Sequence, residues 1–140
     1  MSEMDDVYSD LILDLYKNPV NKGRISRPDL HIEGGNPLCG DKVVFHMKIS
    51  NEVIEDIKFD GMGCAISTAA ESLLTEMVKG KKVSQAEKLT QQEMFNALGG
   101  KVIEARTKCA MLGLYTLQKG LMEYKKNPQK NTTITGIVIK

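Results

Sequence analysis

The spacing of apolar residues changes period near residue 64. Upstream, Leu30 and Ile32 alternate with His31 and Glu33, and Val43, Phe45, Met47 and Ile49 alternate with Val44, His46, Lys48 and Ser50. A period of two predicts half-buried strands. A turn at Asn51-Glu52 returns the chain into residues 53–59, where Ile57 and Phe59 share a face. From Cys64 onward Ile66, Ala69, Ala70, Leu73, Leu74, Met77 and Val78 follow the i, i+3, i+4 rule, which predicts a helix up to Gly80.

The flanks complete the plan. Residues 7–17 place Val7, Tyr8, Leu11, Ile12, Leu15 and Tyr16 on one helical face, and Asn18-Pro19 ends that helix because the residue before proline disfavours the helical region. Residues 21–28 read as an extended connector. Ser84 with Glu87, and Thr90 with Glu93, have capping-box spacing and predict two short helices. A last long helix over about 105–124 buries Met111, Leu112, Tyr115, Leu117 and Leu121. The expected fold is α+β, with helices packed on one face of a small antiparallel sheet. Residues 1–126 form one domain in this reading. Residues 127–140 form a tail whose Ile134-Thr-Gly-Ile-Val-Ile139 run is either an edge strand or mobile.

Composition narrows the class. A chain of 140 residues with 41% hydrophobic content is long enough for one domain with a real core. A formal charge of +1 gives no electrostatic reason to expect nucleic acid or an anionic membrane as partner. No apolar run approaches a membrane span, and Met1 to Asp6 is acidic where a targeting segment would be basic. Three cysteines cannot all pair internally, so a reducing, cytoplasmic compartment is expected.

The three cysteines lie in Asn36-Pro37-Leu38-Cys39-Gly40-Asp41, Gly61-Met62-Gly63-Cys64-Ala65-Ile66-Ser67 and Arg106-Thr107-Lys108-Cys109-Ala110. With Asp41 they make four potential ligands for zinc or an iron–sulfur cluster. In an extended segment Cys39 and Asp41 point to one side and can meet one ion. Cys64 lies at a predicted helix start, where the dipole favours the thiolate. Cys109 gains a weaker version of that effect, helped by Arg106 and Lys108. Arg106 reaches Asp41 and competes with the metal if the two motifs meet; otherwise it is a surface arginine at a helix start. His31 and His46 lie outside these motifs and read as structural. Without CxxC spacing, three unrelated buried cysteines are the competing reading.

Taken in order, the three motifs resemble the IscU/SufU/NifU-like family of iron–sulfur cluster assembly proteins, over roughly residues 7 to 123. Tyr16-Lys-Asn-Pro-Val-Asn-Lys-Gly23 resembles the SufU branch. The resemblance implies a SufE/NifU-like α+β domain with a three-stranded sheet and the site at one end. It implies that Cys39, Asp41, Cys64 and Cys109 hold zinc or a transient [2Fe–2S] cluster. One cysteine would accept persulfide sulfur from a PLP-dependent cysteine desulfurase: Cys109 in the scaffold branch, Cys39 in the zinc-dependent sulfur-transfer branch. Arg106 and Lys108 would stand behind the ligands.

Two departures bear on the branch. IscU-type scaffolds carry His before the third cysteine, where this chain has Lys108, and a Leu-Pro-Pro-Val-Lys stretch where it has Val102-Ile-Glu-Ala-Arg106. An Hsp70-type chaperone handover through that stretch is therefore not expected. Conversely, only 45 positions separate Cys64 from Cys109, the shorter IscU-like arrangement. The expected function is a non-enzymatic scaffold that holds a labile cluster or zinc and passes it to acceptor apoproteins. The alternative is a zinc-dependent sulfurtransferase that relays persulfide without building clusters.

Overall fold

A computed structural model describes residues 10–100 and 106–139. The alternating segments form β1 (Leu30–Asn36), β2 (Asp41–Ser50) and β3 (Val53–Met62), paired antiparallel in sequence order. The shared register puts Leu30, Ile32, Val43, Phe45, Met47, Ile57 and Phe59 on one face, and each is at most 2% exposed. Burial of a side chain of this size contributes roughly 1.5–3 kcal/mol, so this row anchors the sheet to whatever covers it.

Two helices cover it. α2 (Ala65–Val78) and α5 (Thr107–Lys126) pack against each other and on this face, α2 over β3 and α5 over β1 and β2. Ile66, Ala69, Ala70, Leu74 and Val78 of α2 are buried, as are Met111, Leu112, Leu117 and Leu121 of α5. Tyr115 is only half-buried, its hydroxyl donating to Gln91 Oε1 at 2.6 Å. α1 (Asp10–Lys17) lies against α2 but buries only Ile12 and Leu15. Leu11 and Tyr16 are 41% and 46% exposed, which corrects the broad apolar face read from the sequence. Val7 and Tyr8 of that expected face lie outside the described residues.

Two short helices, α3 (Val83–Glu87) and α4 (Gln91–Ala97), connect α2 to α5. The Thr90–Glu93 capping box forms: Glu93 N–H donates to Thr90 Oγ1 at 3.1 Å, and Thr90 N–H donates to Glu93 Oε1 at 3.2 Å. The Ser84–Glu87 box does not. The cap lies two residues earlier, at Lys82, where the Gln85 side chain accepts from Lys82 N–H at 2.9 Å. The start expected at Ala105 and the 102–105 stretch lie outside the described residues.

The sheet has four strands, not three. β4 (Thr132–Val138) pairs parallel to β1, giving the order β3-β2-β1-β4. The register slips between Ile32 and Gly34, and Gly136 has φ +75°. That irregularity puts the half-buried Ile134 and Ile137 three residues apart, which hides the period of two from the sequence. Among the described residues no helix is long and apolar enough to cross a membrane.

The connector, residues 21–28, covers the second face of the sheet. It bridges the outer edge of β3, where Gly23 N–H donates to Phe59 O at 2.8 Å. It then reaches His46, whose Nδ1 accepts from Ile25 N–H at 2.9 Å. His46 is thus 7% exposed beneath the connector, and pairs with His31 at 2.7 Å.

Candidate metal centre

The strands and helices bring the sequence motifs to one end of the sheet. Asp41 opens β2, Cys64 is the N-cap of α2, and Cys109 lies in the first turn of α5. Their ligand atoms, one carboxylate oxygen and two sulfurs, all lie within 4.8 Å of one another, and each residue is half-buried. Tetrahedral zinc with Zn–S bonds of about 2.3 Å holds its donors roughly 3.5–4 Å apart. The three therefore need little movement to share one ion.

One donor oxygen also lacks any other partner: Asp41 Oδ2 is buried with no hydrogen-bond partner among the described residues. Burial, then the neighbouring Cys64 and Asp41, push the Cys109 thiol up to about 11, with only the Arg106 side chain pulling the other way. This corrects the expectation that the helix start and basic neighbours favour a Cys109 thiolate, because desolvation outweighs both. A divalent cation among the donors reverses that balance, since a coordinating thiol is deprotonated outright. An orphaned carboxylate oxygen beside two crowded thiols is a donor set that fits a soft or borderline cation.

Cys39 stands apart. Residues 37–40 form a turn in which Gly40 has φ +78° and its N–H donates to Asn36 O at 2.9 Å. The segment is not extended, so Cys39 and Asp41 are not presented side by side. Cys39 is exposed, its Sγ lies 3.8 Å from Asn36 O, and it is outside the group of three. Leu38, before it in the turn, and Met62, which pairs with Lys42 at the start of β2, are also exposed, at 77% and 71%. Arg106 is the N-cap of α5 and bonds toward the Cys109 sulfur; Lys108 is exposed. His31 and His46 lie on the second face of the sheet, away from the helix-covered side that carries the donors.

One acidic residue near this centre carries no motif. Glu71 of α2 is 4% exposed, and burial first, then Asp41 and Cys64, hold its carboxyl well above the usual carboxylate range. A glutamate on an amphipathic helix reads as solvated, so only its place amid Ala69, Ala70 and Leu74 could have signalled burial.

Comparison with known proteins identifies the family. The NifU-like N terminal domain family matches residues 7–131. The iron-sulfur cluster assembly scaffold protein IscU 1 of Archaeoglobus fulgidus is 38% identical over 122 residues, covering 86% of this chain and 79% of its own. The zinc-dependent sulfurtransferase SufU of Bacillus subtilis is 33% identical over 139 residues, covering 86% and 92%. Among solved structures, FiSufU of Fervidobacterium islandicum superposes with a TM-score of 0.70 at 29% identity, covering 86% of this chain and 99% of its own. A NifU-like protein of Brucella abortus shares the fold at a TM-score of 0.73 and 18% identity, covering 90% and 99%. With its α+β architecture, its ordered cysteine motifs and these relatives, the chain belongs to the NifU-like N-terminal domain family.

Proposed function

We propose that this chain is a cytoplasmic iron–sulfur cluster assembly scaffold, with residues 1–126 as its domain. It accepts persulfide sulfur from a PLP-dependent cysteine desulfurase, and it holds a labile [2Fe–2S] cluster or zinc for transfer to acceptor apoproteins. The observation that carries this reading is the convergence of Asp41, Cys64 and Cys109 from a strand and two helix starts to within 4.8 Å. Cys39, two residues before Asp41, completes a set of four once its turn folds over the centre. Bound there, a metal would supply charge that keeps the thiols deprotonated.

The protein's own residues divide the work. Cys64 and Cys109 are placed by helix ends, and their sulfurs give soft, strongly held donors. Asp41 gives one hard oxygen, the weakest donor to a soft metal and the one from which cargo is most readily released. Arg106 offsets negative charge beside Cys109. Exposed Cys39 is available to an incoming persulfide without disturbing the other three.

That exposure also supports a second reading, a zinc-dependent sulfurtransferase like the Bacillus relative. Anaerobic reconstitution with ferrous iron, cysteine and a desulfurase separates the two. Visible circular dichroism of a [2Fe–2S] cluster that moves to an acceptor apoprotein supports the scaffold. Many-turnover stimulation of alanine production by catalytic zinc-loaded protein, with no cluster formed when iron is present, overturns it in favour of sulfur relay.

A further inference from the structure

Among the described residues, Glu71 is the one buried acid that the proposed chemistry leaves unused. It is 4% exposed, and its carboxyl makes no hydrogen bond or ion pair among the described residues. Such a group is costly to bury, and an apolar side chain would fill the same space without that cost. Its position therefore calls for a reason.

Two helices aim it at the centre. Side chains on a helix lean toward its N-terminus, so Glu71 leans back toward Cys64, seven residues earlier at the N-cap of α2. On the facing helix a Cβ at Gly113 would lie 2.8 Å from Glu71 Cγ and 3.5 Å from Phe45 Cζ. Gly113 is one turn after Cys109. The missing Cβ is thus the space in which the Glu71 stem stands, between α2 and α5. The charged groups it senses are Asp41 and Cys64 of the centre and Lys22 of the connector. Its oxygens are not among the donors grouped within 4.8 Å, so it stands one step behind them.

We propose that Glu71 is a reserve oxygen ligand of the Asp41–Cys64–Cys109 centre, taking a coordination position when Asp41 or a thiolate leaves it. The inference rests on reading that group as a metal centre. Exchange of Asp41 for Glu71 would replace one carboxylate ligand by another, leaving the charge on a bound ion unchanged. A change of side-chain rotamer on this long side chain is the movement the exchange requires. The scaffold can then release its weak ligand toward an acceptor without leaving the metal short of a donor.

The test is zinc affinity by chelator competition for the full chain and for Asp41→Ala, Glu71→Gln and the double variant. We expect the double variant to lose about tenfold or more beyond the product of the two single losses, because each carboxylate backs up the other. A double loss equal to that product overturns the inference. The second measurement needs no change at Glu71: the crystal structure of zinc-loaded Asp41→Ala. A Glu71 oxygen at about 2.0–2.2 Å from zinc supports the proposal, and a water in that position overturns it. Zinc binding by the wild type with an additive cycle defeats only the reserve ligand. Failure of the wild type to bind zinc defeats the metal centre as well.

Discussion

Cys64 caps the N-terminus of α2 and Cys109 lies in the first turn of α5, and their sulfurs lie within 4.8 Å of each other with Asp41 as the third neighbour. Two helix ends are thus spent on bringing thiols together. With burial and two acidic neighbours raising it to about 11, the Cys109 thiol at pH 8 is about a hundredfold poorer in thiolate than one at the ordinary value of 9.0. In zinc-free protein, iodoacetamide is expected to label exposed Cys39 first and Cys109 last, read by mass spectrometry of quenched time points. Equal rates at Cys39 and Cys109 would contradict this crowding.

The second face of the sheet predicts a pH dependence. A hydrogen-bonded chain runs across it: His46 Nδ1 meets the Ile25 N–H at 2.9 Å and the Ile25 carbonyl oxygen at 3.1 Å, His46 Nε2 meets His31 Nδ1 at 2.7 Å, and His31 Nε2 meets Glu33 Oε1 at 2.9 Å. Burial, then His31, lowers the His46 pKa below 6.5, with Arg24 adding to the effect and the Ile25 contact and Asp60 opposing it. Lys58 faces His46 across the β2–β3 register. The unfolded chain therefore takes up the proton first, and stability is lost as pH falls through 6.5 towards the lower folded value. Urea midpoints should decline from pH 7.5 to 5.5 in the wild type and decline less steeply in His46→Asn. Parallel slopes in the two proteins would remove His46 from the explanation.

Which parts of this were legible in the sequence follows from which interactions are local. Alternation marked β1 to β3, and the Thr90–Glu93 box marked the start of α4, because both depend on near neighbours. The bulged β4 was less legible, since Gly136 breaks its period and its partner β1 is a hundred residues away in the chain. His46 read as a polar-face residue because nothing local shows that residues 21–28 return over it. Asp41, Cys64 and Cys109 were legible as motifs. Their closeness, and the separation of Cys39, depend on a turn at Gly40 and on how two helices pack.

The α2–α5 contact beneath the centre leaves little room. A Cβ on Gly113 would press on Glu71 Cγ at 2.8 Å, closer than packed carbons tolerate. Gly113→Ala is expected to destabilise by about 1–3 kcal/mol in urea unfolding, as overpacking does, despite the gain in helix propensity. Glu71→Ala in the same chain should recover part of that loss by removing the colliding stem. An additive double variant would show that some other contact limits position 113.

Exposure decides where sulfur should arrive. Transfer requires a protein thiolate to attack the terminal sulfur of the desulfurase persulfide, forming a new S–S bond as the old one breaks and the desulfurase cysteine leaves as thiolate. The attacking sulfur must reach into another protein's active site. Cys39 is exposed on its turn after Leu38, whereas Cys109 is half-buried against Cys64, and burial pushes its thiol up to about 11. Access thus favours Cys39 over Cys109. After a single desulfurase turnover without iron, peptide mass spectrometry is expected to find the added sulfur on Cys39, and Cys39→Ser is expected to lower the yield of labelled protein at least tenfold, as loss of the attacking thiolate requires. Sulfur mapped to Cys109 while Cys39 stays free would show that the turn and α5 rearrange on docking, and that burial in the isolated chain does not govern the transfer.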